Sequence, residues 1–388
     1  MRADRRVRIG AVRGLDQQEE TVRQYVRKTR QVASRTTGRK IATTQLSKEE
    51  MKKMKRFGLI LALVVLTLSL AQGAYAKEFV LGHTGQPSVT FAQAGEKFAE
   101  FLAEESGGKL TLKAMGASAL GNNREGIEQI QQGVTDFWII STGLLAQFTK
   151  AVTVYDLPYL FKSEKAAQDF VNSDIAMDIV KPLEEKGMQP LGYFIMGWRH
   201  IHSNVAVRKP EDLKGVKIRT EPAPIRMGIF KALGASPIPM DFGEVFTSLQ
   251  QGVIDAGENT LENIKSQGFN TVQKYIIMDG HILDPMLLVM SKRSWDKLSD
   301  EDKAIVQKAA DRACTWDQEN VLANNKKILD EFKAAGTPEV IELTPEERQG
   351  FREASKSVLD EHKDSIDMGF YEKIMKFQES YAEEAPNS

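Results

Sequence analysis

With one cysteine, Cys314, in 388 residues, the chain can close no internal disulfide and build no cysteine metal cluster. Basic charge is also short over most of its length. Residues 1–76 hold 17 of the 52 Lys and Arg but only 6 of the 53 Asp and Glu, leaving residues 77–388 with 35 basic against 47 acidic groups. A body of that sign offers no basic face to phosphates, so no nucleic-acid partner is expected. Enzyme signatures are missing too: GxSxG, HExxH, P-loop and GxGxxG are all absent. His200 and His202 are spaced to share one face of a strand, but no third ligand of suitable type is near them in the sequence. No catalytic residue, metal or cofactor is therefore expected. Long apolar runs are scarce, and the one at residues 57–70 is shorter than the roughly 20 residues a membrane-spanning helix needs.

That run has another reading. In "MKKMKRFGLILALVVLTLSLAQGAYA", residues 51–76, Lys52, Lys53, Lys55 and Arg56 precede the apolar core. Ala74-Tyr75-Ala76 supplies a small-residue cleavage site, the last part of a secretory signal peptide. Cleavage there makes Lys77 the first residue of a mature, exported chain. The alternative is an uncleaved anchor. The pattern also places the start of translation at Met51 or Met54, which leaves residues 1–50 as a non-native or unstructured extension outside the fold.

From Lys77 onward, strand and helix signals alternate. "KEFVLGHT", "LTLKAM", "TDFWII" and "MQPLGYFIM" read as strands. Between them, "VTFAQAGEKFAEFLAEESGGK" carries apolar residues at Phe91, Ala94, Phe98 and Phe101-Leu102, a helical spacing. "NNREGIEQIQQG" opens on an asparagine cap, and "SEKAAQDFVNSDIAMDIVKPLEEKG" reads as one or two helices interrupted at Pro182. A second α/β unit follows, with strands "HIHSNVAV" and "VKIRT", helix "IRMGIFKALG", and then "GEVFTSLQQGVIDAGENT". "DPMLLVMSKRSWDKLS" returns to a strand and leads into a long helical tail. The echo between "EGIEQIQQGVTDFW" and "EVFTSLQQGVIDAGEN" predicts similar βα units in two lobes, with a crevice between them.

Two arginines stand where apolar strands run out: Arg199 closes "YFIMGWR" and Arg219 closes "VKIR". A guanidinium is permanently charged and grips a carboxylate through two parallel hydrogen bonds. Spacing alone leaves two roles open for each, a ligand contact or a local ion pair with an acid such as Glu221 or Asp241. Asn259, in "DAGENT", offers an amide that donates and accepts at a third strand exit, or simply serves a turn. Trp198 and Phe242 are pocket walls or core.

The ordered strings "WRHIHSN", "EDLKGVKIRT" and "LGASPIPMDFGEVFTSLQQGVIDAGEN", with "GNNREGIEQIQQGVTDF" and "DLPYLF" upstream, resemble the solute-binding subunits of tripartite ATP-independent periplasmic (TRAP) transporters, the DctP-like group. The resemblance covers about residues 79–375. It implies a two-lobed α/β fold with crossover strands and a long helix bridging the lobes, for which "FKAAGTPEVIELTPEE" and the helix before it are the counterparts. It divides the chain into lobe I, 77–198 with 285–325, and lobe II, 199–284 with 326–388. It implies that Arg219 bridges a substrate carboxylate, that Arg199 and Asn259 face the ligand, and that Phe242 lines the pocket. In the first lobe "WIIST" offers Ser141 and Trp138. The implied function is capture of a small carboxylated solute in the periplasm by a monomer, which closes around it and delivers it to a membrane permease. A periplasmic enzyme on the same scaffold, or a ligand-presenting partner of a membrane sensor, are the other readings.

Overall fold

The computed structural model describes residues 77–384. The stretch read as a signal peptide, its expected cleavage site and residues 1–50 lie outside them. The first half of the fold holds β1 (Lys77–Gly82), β2 (Leu110–Met115) and β3 (Phe137–Ser141), and the second holds β5 (Lys217–Thr220), β6 (Ser236–Pro239) and β7 (Ala256–Thr260). Between them run two long strands, β4 (Met188–Ser203) and β8 (Tyr275–Ser291). They make one sheet in the order β2-β1-β3-β8-β4-β7-β5-β6, with β9 (Glu339–Ile341) added to β8. Within each half β1 is parallel to β2 and β3, and β5 to β6 and β7.

Helices cover this sheet as the spacing predicts. In α1 (Thr90–Glu105), Phe91, Ala94, Phe98 and Leu102 are buried, and Phe101 is only partly so. Phe98 meets Phe137 of β3 edge-on, with ring centroids 5.1 Å apart. Burying one such side chain is worth about 1.5–3 kcal/mol. In α2 (Asn123–Gln132), the Asn122 side chain accepts the Glu125 N–H at 2.9 Å, and the Glu125 carboxylate accepts the Asn122 N–H at 2.8 Å. These reciprocal bonds satisfy two amides that the helix itself leaves unpaired.

Three readings need correction. The crossover strands are β4 and β8, not the segment 332–347, which ends one helix, starts another and supplies β9 as its one strand. "MQPLGYFIM" and "HIHSNVAV" are not separate strands, because 188–203 runs through as one. It looks broken in sequence because Gly197 sits inside it at φ +94°, a conformation that favours glycine. A Cβ there would lie 2.7 Å from Asn325 Nδ2. Lastly, the helical stretch after β3 divides at Ser173, which caps α4 (Asp174–Val180) behind α3 (Glu164–Val171), while Pro182 lies in a following 3₁₀ turn.

The pairing of β4 with β8 slips at three places, between Pro190 and Gly192, between Ile195 and Trp198 (opposite Pro285 and Leu283), and between Arg199 and Ile201. The middle slip falls between the two halves. A helix of 36 residues, α5 (Asp300–Ala335), about 54 Å long at 1.5 Å per residue, spans both. Its Val306, Ala309 and Ala313 pack with Phe98 and Phe137, and its Ile328, Leu329 and Phe332 pack with Ile264 and Leu249 of the second half. Glu262 ties the halves again. Its carboxylate accepts the Thr90 N–H at 2.9 Å and the Thr90 hydroxyl, closing the start of α1 where Val89 provides no side-chain cap.

Candidate ligand-binding cavity

The strand ends of both halves surround a cavity of about 1130 Å³. Strand β5 delivers Arg219 to it. The side chain is 2% exposed, and its Nε and Nη2 both donate to the Met240 carbonyl, at 3.0 and 2.7 Å. Among the described residues no carboxylate lies within ion-pair distance of it. Asp241 instead accepts from Asn122 across the cavity mouth at 3.1 Å, and Glu221 pairs with Arg226 at 3.0 Å. Burial pushes the Arg219 guanidinium below its ordinary value, and Glu221 and Glu258 only partly offset this. Phe242 stands over it, its ring centroid 5.8 Å from Cζ. A buried cation without a counterion is costly unless something supplies the anion.

Arg199 lines the same cavity, but its fork is taken. Nε and Nη2 grip the Glu258 carboxylate at 2.5 and 2.9 Å, and Nη1 meets Asp284 at 2.5 Å. Burial opposes its charge, yet Glu258 and Asp284 hold it above its ordinary value. Asp284 passes the chain on to Arg226 at 2.8 Å, and Arg226 reaches Asp156 at 2.7 Å. Ser141 belongs to this network as well, accepting from Arg226 at 3.3 Å and donating to Glu221 at 3.1 Å. Asn259 is 2% exposed. Its Oδ1 accepts from Thr260 N and Asn263 Nδ2, each at 2.9 Å, which leaves its own Nδ2 at the cavity wall.

Trp138 is placed elsewhere. It is 1% exposed, and its ring fills the space that a Cβ at Gly82 or Gly126 would take. Its Nε1 donates to Asn123 at 3.2 Å, and Asn123 reaches the wall. Sequence reasoning passed over Arg226, Glu258, Asp284 and Asp156. The available signal was a charge inside an apolar run, as in "APIRMGIF" and "HILDPML", because such a group is buried only with partners.

His281 extends the network with Nδ1 2.7 Å from Asp279 and Nε2 3.3 Å from Glu258. Burial works against its proton, but Asp279 and Glu258 raise it to about 9. Unfolded histidine titrates near 6.5, so this contribution to stability is complete below about 6.5 and is lost as pH rises through 9. His83, His200 and His202 are lowered to about 4, 3 and 4, each chiefly by burial. They remove stability as pH falls from about 6.5 toward those values. The thermal midpoint should therefore peak near pH 6.5. His281→Gln should flatten the alkaline side, and an unchanged slope there would show that this ion pair does not set it.

A cleft between two halves of one sheet, reached by strand ends and holding a buried cation that has no carboxylate partner among the described residues, defines a protein that captures a solute. Known proteins place it further. Residues 81–365 match the DctP family, described as bacterial extracellular solute-binding protein, family 7. The chain is 34% identical over 262 residues to the 2,3-diketo-L-gulonate-binding periplasmic protein YiaO of Escherichia coli, covering 67% of this chain and 79% of that one. The sugar acid binding protein DctPAm of Advenella mimigardefordensis, solved with galactonate, superposes with a TM-score of 0.76 at 28% identity, covering 78% of this chain and 98% of that one. A TRAP periplasmic solute-binding protein from Polaromonas, bound to D-erythronate, gives 0.73 at 29% identity, covering 77% and 98%. The chain belongs to the family 7 solute-binding proteins, the DctP family, and has their two-lobed α/β fold.

Proposed function

We propose that this chain captures a carboxylate-containing organic acid between its lobes and hands it to a TRAP-type membrane permease. The observation that carries this reading is Arg219, a buried cation at the cavity wall with no counterion among the described residues. In this reading the ligand carboxylate supplies that counterion, Asn259 Nδ2 adds a donor, and Phe242 covers the apolar part of the solute. Arg199 and Ser141 hold the wall in place through Glu258, Asp284 and Glu221, and Trp138 acts only through Asn123. The acids bound by the relatives, galactonate and D-erythronate, support the class of ligand.

Lobe I comprises 77–198 with 285–325 and lobe II 199–284 with 326–388, a division supported by the middle register slip between β4 and β8. Closure follows if the solute contacts both lobes, and it proceeds only as far as the ligand's preference for the closed form allows. The protein works in the periplasm as a monomer that starts at Lys77, and it releases its ligand unchanged.

A screen of organic acids by thermal unfolding tests this. At 100 times its dissociation constant a ligand adds about 2.7 kcal/mol of apparent stability. At least one carboxylic acid should raise the midpoint and be recovered chemically intact, from protein whose intact mass begins at Lys77. If no acid raises the midpoint, or the acid is consumed, the reading fails.

A further inference from the structure

We infer that Glu262 is a latch between the lobes, a positioning residue that retains the solute by favouring the closed arrangement without touching it. This rests on the solute-binding reading and the lobe division proposed above. The lobes are together in this structure: across the cavity mouth Asn122 of lobe I donates to Asp241 of lobe II at 3.1 Å. Glu262 stands two residues beyond β7, in lobe II, and is 4% exposed. Its carboxylate accepts the Thr90 N–H and the Thr90 hydroxyl from lobe I, and Asn324 Nδ2 of α5 at 2.6 Å. No basic side chain pairs with it among the described residues, and burial raises its carboxyl above the ordinary value.

The bonds to Thr90 complete a helix. Helices α2, α3, α4 and α5 are each capped by the side chain of the residue just before them, Asn122, Ser163, Ser173 and Ser299. Val89, before α1, provides no such bond, and a carboxylate from the other lobe takes its place. A carboxylate at a helix N-terminus satisfies an amide that the helix leaves unpaired and meets the positive end of the helix dipole. Separating the lobes withdraws it, so this cap strengthens only the closed arrangement.

The latch lies beside the solute site but outside it. Phe91 and Asn263, the residues next to Thr90 and Glu262, line the cavity. Thr90 and Glu262 themselves border a separate groove of about 660 Å³, together with Ser88, Gln93 and Asn324. A group placed there reaches the solute only through the fraction of protein in the closed arrangement. It therefore changes the affinity for every solute by the same factor, whereas a direct contact discriminates among them.

Calorimetry and stopped-flow kinetics with D-erythronate, galactonate and succinate, on the full exported chain, test the inference. For each acid that binds, Glu262→Ala should raise Kd about 3- to 30-fold, the range of a lost helix cap. The factor should be shared by all of them and fall on dissociation, with association changed by less than about twofold. Thr90→Val should move Kd in the same direction, and Thr90→Ser, which restores the hydroxyl, should bind like the unaltered protein. If Glu262→Ala does not fold, this Thr90 pair decides alone. An unchanged Kd in the folded variant overturns the latch and leaves Glu262 a structural cap. A factor that differs more than about threefold between acids overturns it too, by making Glu262 a solute contact. If no acid binds the unaltered protein, the solute-binding reading fails instead. Small-angle scattering then decides the latch by itself: Glu262→Ala should enlarge the radius of gyration, and an unchanged radius overturns it.

Discussion

Arg219→Ala should abolish micromolar binding of the organic acid while leaving the empty protein folded. Removing one partner of a buried charged pair typically costs about 2–5 kcal/mol, much of it from stranding the other charge. At about 1.4 kcal/mol per tenfold, that is roughly 30- to 5,000-fold in affinity. The stability half of this expectation comes from the absent counterion. Because among the described residues Arg219 donates only to the Met240 carbonyl and burial already disfavours its charge, its loss strands none of their carboxylates in the ligand-free protein. The unfolding free energy of the empty variant should stay within about 1 kcal/mol of the unaltered chain, as for substitutions that break no buried network. Arg219→Lys keeps the charge but loses the planar fork, so it should bind more weakly than the unaltered protein and better than alanine. Calorimetry, with circular dichroism as a folding control, reads all of this. Near-normal binding by a folded Arg219→Ala protein would leave the guanidinium a strand-end residue and nothing more.

What the sequence disclosed and what it hid divide by range. The cap at Asn122, the buried face of α1 and the arginine closing β5 are local features, written in residues within a turn or two of each other. The long strands were hidden because their breaks look like ends. Pro285 lacks an N–H and reads as a strand boundary, yet β8 runs on through it, with the pairing to β4 slipping just beyond its partner Ile195. The ion-pair chain was hidden for the opposite reason. Arg226 meets Asp156 and Asp284, which are 70 and 58 residues away, and no spacing rule links such pairs. Trp138 shows the limit from the side of the site: nothing in "DFWII" reveals that Gly82 and Gly126 open a core slot for the indole.

Arg199→Ala should have the reverse profile of Arg219→Ala, with the main loss in stability. The Arg199 side chain is 1% exposed, and its two partners, Glu258 and Asp284, are as deeply buried. Arg199 and His281 together hold the Glu258 carboxylate below its ordinary value against the effect of burial. Among the described residues, removing the arginine leaves Glu258 with His281 and Asp284 with Arg226 as the one remaining basic partner of each. Breaking a buried pair in this way costs about 3–5 kcal/mol. At roughly 2–4 °C per kcal/mol, the value for domains of 150–250 residues, the unfolding midpoint should drop by about 6–20 °C. Arg199→Met fills more of the volume but strands the same two carboxylates, so it should recover only part of the loss. The double change Arg199→Met with Glu258→Gln removes one stranded charge and should be more stable than the first alone. That ordering separates a charge effect from a packing effect, since packing alone predicts no gain from the second substitution. A midpoint within about 2 °C of the unaltered protein for Arg199→Ala would mean the network is not held together by this residue, and would return Arg199 to a direct contact with the solute.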